Sequence, residues 1–378
     1  MREIYLDNSA TTRTAEPAAR AVYDMLVSCY GNPSSLHRKG LEAENRIAEA
    51  RRSLARLLDC DPQELVFTSG GTEANNLAIL GAAEARCRRG RRVVTTAFEH
   101  SSIDAAASHL EKSGWEVVRV KPDRMGHIDP QEVAAAVDSQ TVLVSCMCVN
   151  NEVGTVLPIG QIVREVRRKN PHTLIHCDCV QALGKLPLSM RRLDLDLATV
   201  SAHKIYGPKG SGALFVRRGV RILPRQLGGS QEKKLRPGTE AAALIAGFGV
   251  AAQLACEHLK EDAARIADLN QELRCRLLSM PQVVINSPAD ALPAVLNISV
   301  PGWRSETMMH FLEERGISVS SGSACSKGAK SHVLSAMGLD PSLIDSALRV
   351  SFGRYNTKED VEDFVLALQD AICTLAHR

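Results

Sequence analysis

From about residue 40 onward, short apolar runs alternate with segments in which apolar positions recur every three or four residues. The runs Leu65–Thr68, Arg92–Thr96, Glu116–Val120, Val142–Cys148, Thr173–Asp178, Leu197–Ser201 and Ala213–Val216 are rich in Val, Leu and Thr and too short for helices, so they predict strands. Between them the spacing predicts helices over roughly 40–58, 73–88, 100–113, 130–137 and 159–169. Strand alternating with helix predicts an α/β fold. Its sheet is mostly parallel and right-handed, with helices on both faces and functional groups at the carboxyl ends of the strands. After about residue 240 the pattern changes. A long helical stretch from Ala241 to Met280, with a break, precedes candidate strands Val283–Ile285, Val295–Val300, Ile317–Ser320 and Leu348–Phe352. This predicts a large domain over 13–255 and a smaller α+β domain made of 256–378 and completed by residues 1–12.

A chain of 378 residues can bury the cores of two such domains. Its net charge of +3 gives no argument for nucleic acid or for an acidic membrane surface. No run approaches the roughly 18 uninterrupted apolar residues of a membrane helix, and the start, Met1-Arg2-Glu3-Ile4-Tyr5-Leu6, lacks a signal-peptide core. A cytoplasmic protein is expected. Eleven scattered cysteines, an odd number, argue against a secreted disulfide framework. Cys146 and Cys148, and Cys177 and Cys179, alternate on predicted strands and so share a face, which leaves a metal site open beside simple burial.

Several loops carry chemistry. Ser201-Ala-His-Lys204 follows an apolar run and precedes Gly207-Pro-Lys-Gly210. A lysine there can bind an aldehyde cofactor covalently, with Ser201 and His203 beside a phosphate, or it can be a surface residue. Asp178 ends another run, with Gln181 three residues on; it suits a protonated pyridine nitrogen or caps the next helix. Thr68-Ser-Gly-Gly-Thr-Glu73 joins a strand to a helix, where glycines and free N–H groups suit a phosphate. His100 can lie over a flat ring, move protons, or be structural. Asn150-Asn-Glu-Val-Gly154 reaches a ring hydroxyl or makes a turn. Ser320-Ser-Gly-Ser-Ala-Cys-Ser-Lys-Gly328 surrounds Cys325 with small residues, and Lys327 and Lys330 favour its thiolate. Arg349, inside an apolar strand, needs an anion, either a substrate carboxylate or an internal partner.

The order of these segments carries a resemblance across nearly the whole chain. Tyr5-Leu-Asp-Asn-Ser-Ala-Thr-Thr12, Gly31-Asn-Pro-Ser-Ser35, Phe67-Thr-Ser-Gly-Gly-Thr-Glu73, Glu99-His100, Val149-Asn-Asn-Glu-Val-Gly154, Asp178-Cys-Val-Gln181, Ser201-Ala-His-Lys-Ile-Tyr-Gly-Pro-Lys-Gly210, Arg236-Pro-Gly-Thr239, Ser321-Gly-Ser-Ala-Cys325 and Arg349 stand in the order of the NifS/IscS-type cysteine desulfurases. These are class V aminotransferases among the fold-type I enzymes dependent on pyridoxal 5'-phosphate. The resemblance implies a seven-stranded sheet in the large domain. It implies that L-cysteine becomes L-alanine and that a persulfide forms on Cys325, bound for an acceptor protein such as an iron–sulfur scaffold or a tRNA-thiolation enzyme. Lys204 resembles the Schiff-base lysine and Asp178 the partner of the pyridine nitrogen. Gln181 and Asn151 match the ring-hydroxyl neighbours, and His100 matches the imidazole stacked on the ring. Gly71, Thr72, Ser201 and His203 match the phosphate cradle. Thr239 matches a residue reaching that phosphate from a second subunit, which implies a homodimer. Arg349 matches the carboxylate anchor.

Two features depart from the family pattern. The segment from Cys325 to His332-Val333-Leu334 is short and basic, and the chain ends at His377-Arg378 without the longer tail that docks a scaffold in many relatives. Two other readings stand beside the first: a selenocysteine lyase, which would not need Cys325, and a non-catalytic sulfur-relay partner that keeps the fold.

Overall fold

The computed structural model describes residues 2–321 and 330–377. The chain opens with a two-residue strand, β1 (Ile4–Tyr5). Seven later strands make the main sheet: β2 (Leu65–Thr68), β3 (Arg92–Thr96), β4 (Glu116–Val120), β5 (Thr141–Met147), β6 (Leu174–Asp178), β7 (Leu197–Ser201) and β8 (Gly212–Val216), in the order β2-β8-β7-β6-β5-β3-β4. All run parallel except β8, which is antiparallel to β2 and β7. It follows β7 after residues 202–211 alone, too short a link for a parallel crossover.

All seven positions of β5 and all five of β6 are buried, because helices cover both faces. On one face, Ala74, Leu77, Ala78, Ile103 and Ala106 of the helices Gly71–Arg86 and Ser101–Lys112 meet Val142, Leu174, Leu197 and Leu214. On the other, Ile162, Val163 and Val166 of Ile159–Lys169 and Phe248 and Ala252 of the long helix Ala242–Leu278 share a core with Val144, Ile175, Ala198 and Ala213.

The C-terminal part carries a three-stranded antiparallel sheet, in which β10 (Val295–Ser299) lies between β9 (Val284–Ile285) and the later strand β12 (Ala347–Ser351). Between them in sequence, β11 (Ile317–Ser318) pairs in parallel with β1. The N-terminal segment then runs along β12, where Leu6 O accepts from Ser351 N–H at 2.7 Å, and on to the carboxyl ends of the main sheet.

Two elements differ from the expected pattern. The helix expected to break between Ala241 and Met280 is continuous over Ala242–Leu278. Its buried positions stop at Ala255 and resume at Ile266, so only the apolar pattern lapses while the backbone stays helical. By length and composition this helix could cross a membrane, yet its first half packs on the helices Glu16–Val27 and Arg38–Leu58. The helix Glu16–Val27 itself was absent from the pattern reading, because Tyr23, Leu26 and Val27 face outward and blur its apolar stripe.

Candidate active site

Strand ends build the site. The carboxyl ends of β2, β3, β5, β6 and β7 lead respectively to Gly71, His100, Asn151, Asp178 and Ser201, and these surround a cavity of about 580 Å³. Thr72, Gln181, His203, Lys204 and Arg349 also line it. Of the remaining expected residues, Thr239 is exposed and does not line the cavity, and Cys325 lies outside the described residues.

Asp178 is fixed at both oxygens. Its Oδ2 accepts from Asn75 Nδ2 at 2.8 Å and its Oδ1 from Val180 N–H at 2.9 Å. A turn over 180–185 follows Asp178 in place of the helix it was expected to cap, so one oxygen holds the turn at Val180 while the side chain still faces the cavity. Lys204 lies in the tight turn Ala202–Lys204 after β7, and its Nζ donates to the carbonyl oxygens of Ser9 and Ala10, the latter at 2.8 Å. Gln181 Nε2 donates to the same Ser9 carbonyl at 3.0 Å, and its Oε1 accepts from Lys185 Nζ at 2.9 Å. Desolvation, then the charges of Lys204 and Arg349, push Lys185 down to about 7.

His100 caps the helix Ser101–Lys112: its Nδ1 accepts from Ser102 N–H at 3.2 Å. The neutral ring therefore carries its hydrogen on Nε2. Burial lowers its pKa, Asp178 opposes this, and Lys204 and His332 add to it. His203 is pushed down to about 4 by burial first and then by Lys204, Lys209 and Lys185, so it stands neutral at ordinary pH.

Arg349, 2 % exposed, donates from Nη2 to Asp7 Oδ1 at 2.8 Å and from Nη1 to Asn151 O at 3.0 Å, while its buried Nε has no partner. The internal ion pair left open by the sequence exists, and the guanidinium still opens onto the cavity. The two asparagines after β5 divide their tasks. Asn150 Oδ1 accepts from the N–H groups of Glu152 and Val153 and makes the turn, whereas Asn151 Oδ1 is buried without a partner at the cavity wall.

Other cavity residues were not found from the sequence. Asn75 holds Asp178 and also donates to Ser102 Oγ at 2.9 Å. It lies one turn beyond Gly71 on the same helix face, so the helical period could have found it. Glu152 and His332 come together only in three dimensions, and sequence spacing carries no trace of that. Among the described residues, no set of three or more His, Cys, Asp and Glu side chains could hold a metal ion.

The residues present fit pyridoxal 5'-phosphate. Buried atoms without partners, Ser201 Oγ, Asn75 Oδ1 and Asn151 Oδ1, call for a polar ligand. A Cβ added to Gly71 would come 3.0 Å from Val180 Cγ2, so a side chain here would crowd the helix N-terminus that offers its N–H groups to a phosphate. The amine of Lys204 suits an aldehyde and the carboxylate of Asp178 a pyridinium.

Comparison with known proteins agrees with this chemistry. A family model described as Aminotransferase class-V matches residues 4–364. Cysteine desulfurase IscS of Dictyoglomus turgidum is 38% identical over 95% of this chain and 92% of its own length. Cysteine desulfurase 2 of Trichormus variabilis is 41% identical over 98% of this chain and 93% of its own. A solved NifS-like protein superposes with a TM-score of 0.94 at 37% identity, covering 99% of this chain and 100% of that one. The structure of SspA in complex with cysteine gives 0.83 at 32% identity, covering 94% of this chain and 100% of that one. With the family model spanning nearly all of it and relatives this similar along its length, the chain belongs to the class-V aminotransferases and, among them, to the NifS/IscS-type cysteine desulfurases.

Proposed function

We propose that this enzyme converts L-cysteine to L-alanine and carries the released sulfur as a persulfide on Cys325 to an acceptor protein, an iron–sulfur scaffold or a tRNA-thiolation enzyme. It acts as a homodimer in the cytoplasm, with a large domain over 13–255 and a small one made of 1–12 and 256–378. The observation that carries this reading is that one cavity gathers the amine of Lys204, the carboxylate of Asp178 and the guanidinium of Arg349.

Bound pyridoxal phosphate supplies an electron sink for the carbon next to the amino group. Lys204 would hold the cofactor through its aldehyde. Asp178, steadied by Asn75 and Val180, would keep the ring nitrogen protonated. Thr72, Ser201, His203 and the N–H groups at Gly71 would hold the phosphate, and Thr239 of a second copy would complete that cradle. Gln181 has one Nε2 hydrogen on Ser9 O and the other available for the ring oxygen, with Asn151 beside it. Arg349 orients the substrate carboxylate. Lys204 Nζ can take the proton from the substrate α-carbon, and His100 can deliver one from Nε2. The Cys325 thiolate forms a bond to the substrate sulfur as the carbon–sulfur bond breaks, and the carbon fragment gains a proton to become alanine.

The test is alanine and sulfide release from L-cysteine with reductant in wild type, Cys325→Ala and Lys204→Ala. Activity in wild type alone, with the cofactor absorbance kept in Cys325→Ala, supports the reading. Equal activity in wild type and Cys325→Ala removes the persulfide step and favours a lyase.

A further inference from the structure

A third imidazole lines the cavity beside those of His100 and His203. His332 begins the short helix His332–Ala336, and its Nε2 lies 2.8 Å from the backbone carbonyl oxygen of Glu99. A carbonyl only accepts, so Nε2 carries the hydrogen and the lone pair of the neutral ring is on Nδ1. The preceding residue is clamped as well: Ser331 Oγ donates to Glu152 Oε2 at 2.5 Å, and Glu152 is 2 % exposed. His100 has the opposite arrangement. Its Nδ1 lone pair is committed to the Ser102 N–H, which leaves a donor at Nε2. Of these imidazoles, His100 is thus set to donate and His332 to accept.

The position of His332 suits a particular proton. Its anchor, Glu99, directly precedes His100, and its neighbour Glu152 directly follows Asn151, whose carbonyl accepts from Arg349. Among the described residues, His100 and Glu152 are titratable groups that interact with it. An amino acid held by its carboxylate on Arg349 carries its ammonium group one carbon away, and that nitrogen must lose a proton before it can act as a nucleophile.

We propose that His332 accepts this proton at Nδ1: the N–H bond breaks, its electron pair stays on the substrate nitrogen, and the neutral imidazole becomes imidazolium. This rests on the desulfurase reading above and adds His332 to it as an acid–base residue.

The informative variant is His332→Gln, whose amide nitrogen can keep the bond to the Glu99 carbonyl while supplying no base. General-base catalysis contributes about 10²–10⁴-fold. His332→Gln should therefore lower kcat/KM for L-cysteine at least about tenfold and flatten its acidic pH limb. Cofactor absorbance and Tm should stay unchanged. His332→Gln within about threefold of wild type with the acidic limb intact, beside an impaired His332→Phe, would make the residue an anchor only and overturn the proposal. A wild-type measurement guards against misfolded variants: the NMR titration of the His332 ring must coincide with the acidic limb, and a titration elsewhere also overturns it. If wild type itself makes no alanine, the desulfurase reading has failed rather than this step.

Discussion

Glu99 has one carboxylate oxygen, Oε1, that accepts from Thr96 Oγ1 and Met147 N–H, while its other oxygen is buried with no partner. Burial, with the charges of Asp178 and Asp104 behind it, pushes this carboxyl up to about 8 against the two hydrogen bonds. From about 4.3 upward the unfolded chain ionises this group while the folded protein still holds the proton. The folded state then binds more protons, so stability falls with rising pH, by about 1.4 kcal/mol per pH unit, until pH passes the folded value near 8. Glu99→Gln keeps the accepting oxygen and removes the titration, so its Tm should fall less than that of wild type between pH 5 and 8. Parallel melting curves would show that Glu99 is not the source. Asn75 makes a second case at this scale. Loss of a hydrogen bond to a charged group costs about 1.5–3 kcal/mol, so Asn75→Ala should weaken cofactor binding by about ten- to a hundredfold when the apoprotein is titrated. Unchanged affinity would mean that Val180 N–H alone fixes Asp178. Most of the expected site residues were legible because they follow an apolar run or stand in a glycine-rich turn, and Arg349 because it is a cation within an apolar strand. Glu152 and His332 were not, since the meeting of residues 180 apart at one cavity wall leaves no local pattern.

The same reasoning at the level of elements explains what the periodicity could and could not reveal. The strands of the main sheet were legible because burial on both faces makes each a short apolar run, as in Thr141-Val-Leu-Val-Ser-Cys-Met147. The long helix was misread because periodicity reports burial, and residues 256–265 include no fully buried position while staying helical. Where that helix is buried it is tight: a Cβ at Gly249 would fall on the Cα and Cβ of Ala50 in the facing helix Arg38–Leu58. Overpacking costs about 1–3 kcal/mol, so Gly249→Ala should lower Tm by several degrees. Gly160→Ala makes the contrast, since its Cβ would meet only Arg164 Nη1 and Leu193 Cδ2 at 3.7 and 3.8 Å, and a helical alanine there should leave Tm equal or higher. Equal losses in the two variants would refute the packing account. Strand alternation also explains the paired cysteines. Cys146 and Cys177 are register partners, as are Met147 and Asp178, so Cys146, Cys148, Cys177 and Cys179 share the face turned away from Asp178. All four are buried, and alkylation of the native protein should spare them while reaching Cys87, Cys256, Cys275 and Cys373. Labelling of the sheet cysteines before unfolding would show that this face opens.

At the scale of the whole molecule, a single chain leaves two things unresolved by its own packing. Leu36 and Leu227 are almost fully exposed, and Tyr23, Leu26, Val27 and Tyr30 are more than half exposed along one helix and the turn after it, where a second copy could cover them. The cavity, meanwhile, is lined without Thr239, although Arg236, three residues earlier, is tied to Glu73 at the start of the helix Gly71–Arg86 by a 3.1 Å bond. The proposed homodimer accounts for both if Thr239 of each chain serves the phosphate site of the other. The alternative is that Thr239 serves its own chain's site, since sequence order carries the motif and not the subunit on which it acts. A hybrid dimer does distinguish them. Thr239→Asp places a carboxylate beside the phosphate and should abolish cofactor binding, while Lys204→Ala inactivates only the cavity in which it lies. Each homodimer should be inactive. When one Lys204→Ala chain is paired with one Thr239→Asp chain, service across the interface leaves the second chain's cavity with its own Lys204 and the first chain's intact Thr239. The hybrid should then regain about half of wild-type alanine production per dimer, the share of one cavity in two. If Thr239 serves its own chain, both cavities of the hybrid are damaged and no activity returns.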